Sequence, residues 1–143
     1  MITLSDLVTF INTSLETKFP TIERLSTDIE EGFNRPAFFV DIDNHNRSML
    51  GEILKDVSLT VRIYYFPSSK YKNRIEVLTM IEDLTNLFLT NLKINEDFYI
   101  PIDEVNSTVT EEKVAIVNFD IRYVYEVPED EGLEMIENLE MNI

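Results

Sequence analysis

A chain of 143 residues, 44% apolar with nine Phe and six Tyr, can fill one core in one ordinary domain without disulfides or a metal. It has no cysteine, which excludes disulfides, thiolate nucleophiles and zinc–thiolate sites. Twelve Lys plus Arg against 27 Asp plus Glu give a net charge of −15, which argues against gripping of nucleic acid, though not against lining a passage through which DNA slides.

The start, Met1-Ile2-Thr3-Leu4-Ser5-Asp6, has neither a basic n-region nor a long apolar run, and no stretch approaches the ~18 apolar residues of a membrane span. A soluble protein that is not exported is expected. Leu4, Leu7, Val8, Ile11 and Leu15 recur at helical spacing and predict a helix over 4–18, with Thr3 as N-cap and Asp6 near the positive end of the dipole. Phe19-Pro20 ends it, because a residue before proline avoids the α region. A short strand is expected over 22–27 and a turn over 32–36. Ala37–Asp43 reads as a half-buried strand with Phe38, Val40 and Ile42 on one face and Phe39, Asp41 and Asp43 on the other, followed by a loop over Asn44–Arg47.

Residues 55–66 alternate most cleanly, with Val57, Leu59, Val61, Ile63 and Tyr65 on one face, and Pro67 to Asn73 follows as a polar loop. Helical spacing returns over 74–92 through Val77, Leu78, Ile81, Leu84, Phe88 and Leu92. A short extended piece over 98–102 precedes a hairpin with arms 105–110 and 113–127, turning at Glu111-Glu112. The order predicts an α+β fold: a mostly antiparallel, mixed sheet with two helices packed on one face. Residues 1–128 form the expected single domain, and 129–143 an acidic tail. After Arg122 there is no further Lys or Arg, yet Leu133, Met135, Ile136 and Leu139 are too apolar for a mere solubility tail. Ordering on a partner or neighbouring subunit is the better reading.

Chemistry is sparse. Period-2 geometry would place Asp41, Asp43 and His45 on one side of an extended strand, where they could hold a divalent ion and serve a metal-dependent hydrolase. The plainer reading, polar residues on a solvent face at a strand end, outweighs it. His45 is the only histidine, three glycines cannot build a phosphate-cradling loop, and the acid pairs Glu30-Glu31 and Glu111-Glu112 sit at turns. Neither catalysis nor a cofactor is expected. Lys70, Lys72 and Arg74 around Tyr71 form a basic–aromatic patch, and in a chain this acidic a contact with an acidic protein neighbour outweighs one with nucleic acid. Tyr64-Tyr65-Phe66 is read as a strand entering the core rather than as a stacking platform.

Three stretches together carry a resemblance: Glu30-Glu31-Gly32-Phe33-Asn34-Arg35-Pro36-Ala37-Phe38-Phe39-Val40, the strand end Ile63-Tyr64-Tyr65-Phe66-Pro67-Ser68, and Tyr123-Val124-Tyr125-Glu126-Val127-Pro128-Glu129 running into the acidic tail. In this order the chain resembles, over nearly its whole length, the tail-terminator-like family of phages and prophages of Gram-positive bacteria, commonly found beside contractile-tail genes. The resemblance implies a structural subunit, not an enzyme, that forms a ring with copies of itself, usually a hexamer, on the head-proximal end of the tail tube. Such a ring ends polymerisation and offers a head-joining surface. Its partners would be the tail tube protein, with the sheath and head-completion proteins as further ones, and DNA would pass without specific binding. Assembly would take place in the host cytoplasm, and the product would be a virion tail or a phage-tail-like particle. A head-completion or connector subunit, and the cap of a headless contractile bacteriocin, are the neighbouring alternatives. Within this reading Gly32 and Pro36 shape a turn, and Phe38, Val40, Ile63 and Tyr65 fill the core. Sheet edges, the Pro67–Asn73 loop with Lys70, Tyr71 and Lys72, and the tail residues Leu133, Met135, Ile136 and Leu139 are the expected contacts.

Overall fold

The first helix starts where its cap chemistry puts it. In the computed structural model, which describes residues 2–25 and 33–127, α1 spans Leu4–Lys18. The Thr3 hydroxyl accepts from the Asp6 amide at 3.1 Å, and the Asp6 carboxylate accepts from the Thr3 amide at 3.0 Å. This reciprocal box satisfies two backbone donors that a helix start leaves unpaired, and the bonds to Thr3 hold the Asp6 carboxyl below its ordinary pKa. The helix turns Leu7, Ile11 and Leu15 inward, all fully buried.

After β1 (Glu23–Leu25) come β2 (Ala37–Leu50) and β3 (Leu54–Phe66), joined by a tight turn in which Gly51 takes φ +82°, a conformation a Cβ disfavours. Then follow α2 (Arg74–Phe88), the strand pair β4 (Asn91–Asn95) and β5 (Phe98–Pro101), and the hairpin of β6 (Asn106–Val109) with β7 (Ala115–Glu126). The main sheet has the order β1-β2-β3-β7-β6, with β1 parallel to β2 and every other pair antiparallel. The expected α+β architecture is the one observed.

Both helices cover the same face of this sheet. The inward residues of β3 (Val57, Leu59, Val61, Ile63, Tyr65) and β7 (Ala115, Val117, Phe119, Ile121, Tyr123) meet the α1 stripe and Val77, Met80, Leu84 and Phe88 of α2 in one cluster. Phe88 stacks on Phe119 with centroids 5.1 Å apart, and Phe38 contacts both Phe19 and Tyr65. Each such buried side chain contributes about 1.5–3 kcal/mol. The β4–β5 pair closes the core from below with Leu92 and Ile100.

Two expectations are corrected. Asn44–Arg47 is not a loop: Asn44 adopts φ +53°, the register slips between Asp43 and Asn46, and β2 then stays paired with β3 to Leu50. This is a β-bulge, in which the extra residue bends the strand while pairing resumes beyond it. The second helix does not reach Leu92. Its ladder ends with the Leu89 amide on the Thr85 carbonyl, the Thr90 amide turns back to Phe88, and Leu92 pairs with Ile100 in the small sheet. The expected turn residue Gly32, the pair Glu30-Glu31, positions 26 and 27 of the expected strand, and the whole 129–143 tail with Leu133, Met135, Ile136 and Leu139 lie outside the described residues.

Candidate assembly surface

The two motif stretches that sequence places some thirty residues apart meet at one end of the sheet. Ala37 is paired opposite Phe66, Phe33 packs edge-on against Phe66 at 4.8 Å, and the Arg35 guanidinium lies over both rings at 5.2 and 5.7 Å. Arg35 Nη1 also donates to the Pro67 carbonyl at 3.3 Å. Cation–ring contacts of this kind contribute about 0.5–1 kcal/mol at a partly exposed site. Their effect here is positional, since they fix where the Pro67–Asn73 loop leaves the sheet.

Glu76 fixes the other side of that loop. Its carboxylate accepts from the Tyr65 hydroxyl at 2.7 Å, the Ser68 amide at 2.8 Å and the Ser68 hydroxyl at 2.8 Å. Burial alone would raise the Glu76 pKa, but these three donors outweigh it and hold the group below its ordinary value. Burial, reinforced by the adjacent Glu76 charge, pushes the Tyr65 phenol upward. Within the loop, the Ser69 hydroxyl accepts from the Lys72 amide, and the buried Asn73 side chain donates to the Ser69 carbonyl at 2.8 Å.

This anchored loop and the first turns of α2 form one wall of a groove of about 690 Å³; Val109 and Lys113, from the β6–β7 hairpin, form the other. Its apolar side chains are open to solvent. Tyr71 is 90% exposed, Ile75 79% and Leu78 52%. Helical spacing alone had grouped Leu78 with the buried stripe, but the stripe runs Val77, Met80, Leu84, Phe88, and Leu78 is rotated off it toward the groove. Lys72, Arg74 and Lys113 surround these residues, and none of the three forms an ion pair among the described residues. Lys70 and Tyr71, expected as contacts, are both exposed here, and Lys70 stands beside the groove rather than in it. Val109 and Lys113 were not expected from sequence, where they read as ordinary hairpin residues.

The opposite end of the sheet carries a second exposed surface. β2, β3 and β7 run on past the helices as a three-stranded extension, paired to Leu50–Leu54 and to Leu54–Glu126. Met49, Leu50, Ile53, Leu54 and Val124 are exposed at its tip, and the Val127 amide donates to the Ile53 carbonyl at 2.7 Å. Along the open face between the two ends, polar groups pair across strands. Arg122 holds Asp56 through two donors at 3.2 and 2.9 Å, and the Thr60 hydroxyl donates to Asp120 at 2.7 Å.

Asp41 and Asp43 stand on this open face, both exposed. Arg62 engages Asp43 directly, and that hydrogen bond is the main reason the Asp43 carboxyl lies below its ordinary pKa. The bulge gives Asn46, not His45, the next outward register position, because Asn46 is the residue paired with Ser58. Asp41, Asp43 and His45 therefore do not share the period-2 side assumed for a metal site. Among the described residues no group of three or more His, Asp or Glu side chains could hold a metal ion. No helix among them is long and apolar enough to cross a membrane.

Comparison with known proteins agrees with this architectural picture. No curated protein matches the chain significantly. The family described as phage tail terminator protein matches residues 6–139, which takes in all but the first two residues of α1, the whole of α2, the complete sheet and most of the acidic tail. That family is a structural component of phage tails. The match covers nearly the whole sequence, and the chain belongs to the phage tail terminator family.

Proposed function

We propose that this chain is the subunit of a ring, a hexamer in its commonest form, that caps the head-proximal end of the tail tube, ends its polymerisation and offers a surface for joining the head. The observation that carries this reading is the family match across residues 6–139. The placement of exposed apolar surface supports it. The groove at one end of the sheet and the extension tip at the other are different surfaces, so contact between them is heterologous, and heterologous contacts that close by rotation make rings.

On this reading residues 1–128 are the ring-building domain and 129–143 a segment that orders on assembly. The tube protein is the principal partner, with sheath and head-completion proteins on the outer surfaces. The mechanism is geometric: one ring face complements the tube, the other does not reproduce it, and growth stops. If carboxylates of this chain, whose net charge is −15, line the lumen, its wall repels DNA phosphate and the genome passes without sticking. The assembly site is the host cytoplasm and the product a virion tail or a related headless particle. Tube protein polymerised with and without this chain, and imaged by negative stain, tests the reading. Capped tubes of limited length are expected. Uncapped tubes, with the chain bound instead to portal-side proteins, would make it a head-completion subunit.

A further inference from the structure

The groove is a basic, apolar recess on a strongly acidic protein, and one segment of the same chain has the complementary composition. In 129–143, Leu133, Met135, Ile136 and Leu139 alternate with acids that include Glu131, Glu134, Glu137 and Glu140, with no cation among them. Met135, Ile136, Leu139 and Ile143 fall on one stripe at 100° per residue, a pattern suited to laying an apolar side into a groove. Tyr71, Ile75, Leu78 and Val109 present the matching apolar surface, and Lys72, Arg74 and Lys113 the matching charge. We infer that the 129–143 segment of one copy seats in the Tyr71–Lys113 groove of the next copy, clasping neighbours in the ring.

Reach decides that the groove belongs to another copy. The segment departs from Val127, which is bonded to Ile53 at the tip of the extension. The groove lies at the other end of the sheet, where Tyr65 is paired with Ala115 and Ala115 with Val109. The thirteen residues of β3 separate the two ends by about 40 Å. Ile136 is nine residues past Val127 and reaches at most about 30 Å even when fully extended. Leu133, Met135 and Ile136 thus fall short of their own groove, and in the helical form that puts the stripe on one side even Ile143, sixteen residues past Val127, reaches only about 24 Å. A neighbour oriented head to tail brings its groove toward the departing segment, which is the contact a closed ring repeats.

This inference rests on the ring reading, and the test separates the two. The chain has no cysteine, so single cysteines report without background. Full-length Ile136→Cys and full-length Ile75→Cys, the latter at a position 79% exposed and outside the core, are mixed with tube protein and treated with a short bismaleimide. The expected result is a cross-linked dimer that needs both variants. In the double variant the expected product is a ladder of multimers. Rings that cap tubes but give no such dimer overturn the clasp and leave the ring reading standing. A double variant that links only within one chain, or Ile75→Cys that links to tube protein, also overturns it. A chain that stays monomeric with and without tube protein overturns both. As a second measure, Lys72→Glu with Lys113→Glu should weaken subunit association about tenfold in low salt, a loss on the scale of two or three exposed charge pairs, and the difference should shrink as salt screens the charges. Unchanged association would count against the clasp.

Discussion

The same three strands behave differently at their two ends. Where β2, β3 and β7 lie under the helices, alternate residues are buried to a few per cent and every large side chain has a partner, as with Phe38, Ile63 and Phe119. Where they project, from about Asn44 and Asp56 outward, side chains on both faces of β2 are exposed, and apolar ones such as Met49 on β2 at 61% and Ile53 in the following turn at 57% lie outside the core. Backbone pairing continues the sheet into the extension, helped only by surface contacts such as Arg122 on Asp56 and Arg47 over the Tyr125 ring. The packed end carries the core, and the projecting end, with the groove at the far side, leaves apolar side chains open to solvent.

The largest effect should come from breaking the packed end. Phe119→Ala removes a ring that stacks on Phe88 and is 1% exposed, and should cost about 3–5 kcal/mol in chemical denaturation. A loss under about 1 kcal/mol would mean the core is looser than its burial implies. Glu76→Ala should come next, at about 1–3 kcal/mol, since three donors lose a charged acceptor at the groove wall. The same carboxylate sets a pH dependence. Its folded pKa is depressed, so its contribution is present above the ordinary value of 4.5 and is lost as pH falls through the folded value. Denaturation midpoints of wild type and Glu76→Gln should converge below that window. Thr3→Ala, which opens the α1 box, should cost about 1 kcal/mol.

The smallest stability effect should come from the projecting end. Met49→Ser with Ile53→Asp should change stability by no more than about 0.5 kcal/mol, because these side chains touch little in their own chain, yet it should abolish oligomerisation and tube capping. If the variant unfolds instead, the extension is part of the core and the contrast between the two ends fails.

Much of the packed end was legible in the sequence because burial imposes periodicity. Thr3 and Asp6 marked the helix start, and the alternation of Val57 to Tyr65 and Ala115 to Tyr123 marked the two central strands with their inward faces. The β2 arm of the projecting end was not legible, and for the converse reason. Asn44, His45, Asn46 and Arg47 are held by backbone pairing across a bulge, with no buried face to pattern them, so they read as a loop. Leu92 misled in the other direction, because its spacing continued the α2 stripe while its partner, Ile100, lay in a later strand. Lys70, Tyr71 and Lys72 were legible as an exposed basic–aromatic patch. The groove that gives that patch its shape depends on Val109 and Lys113, which only tertiary pairing brings beside Ile75 and Leu78.

The most direct test of the central claim is the mass of the native particle, measured by native mass spectrometry on the full chain alone and after mixing with tube protein. A terminator subunit should form one discrete closed oligomer on meeting the tube, six copies in the commonest arrangement, and remain bound at a single tube end. A chain that stays monomeric in both conditions, or that binds along the whole length of the tube, would contradict the account.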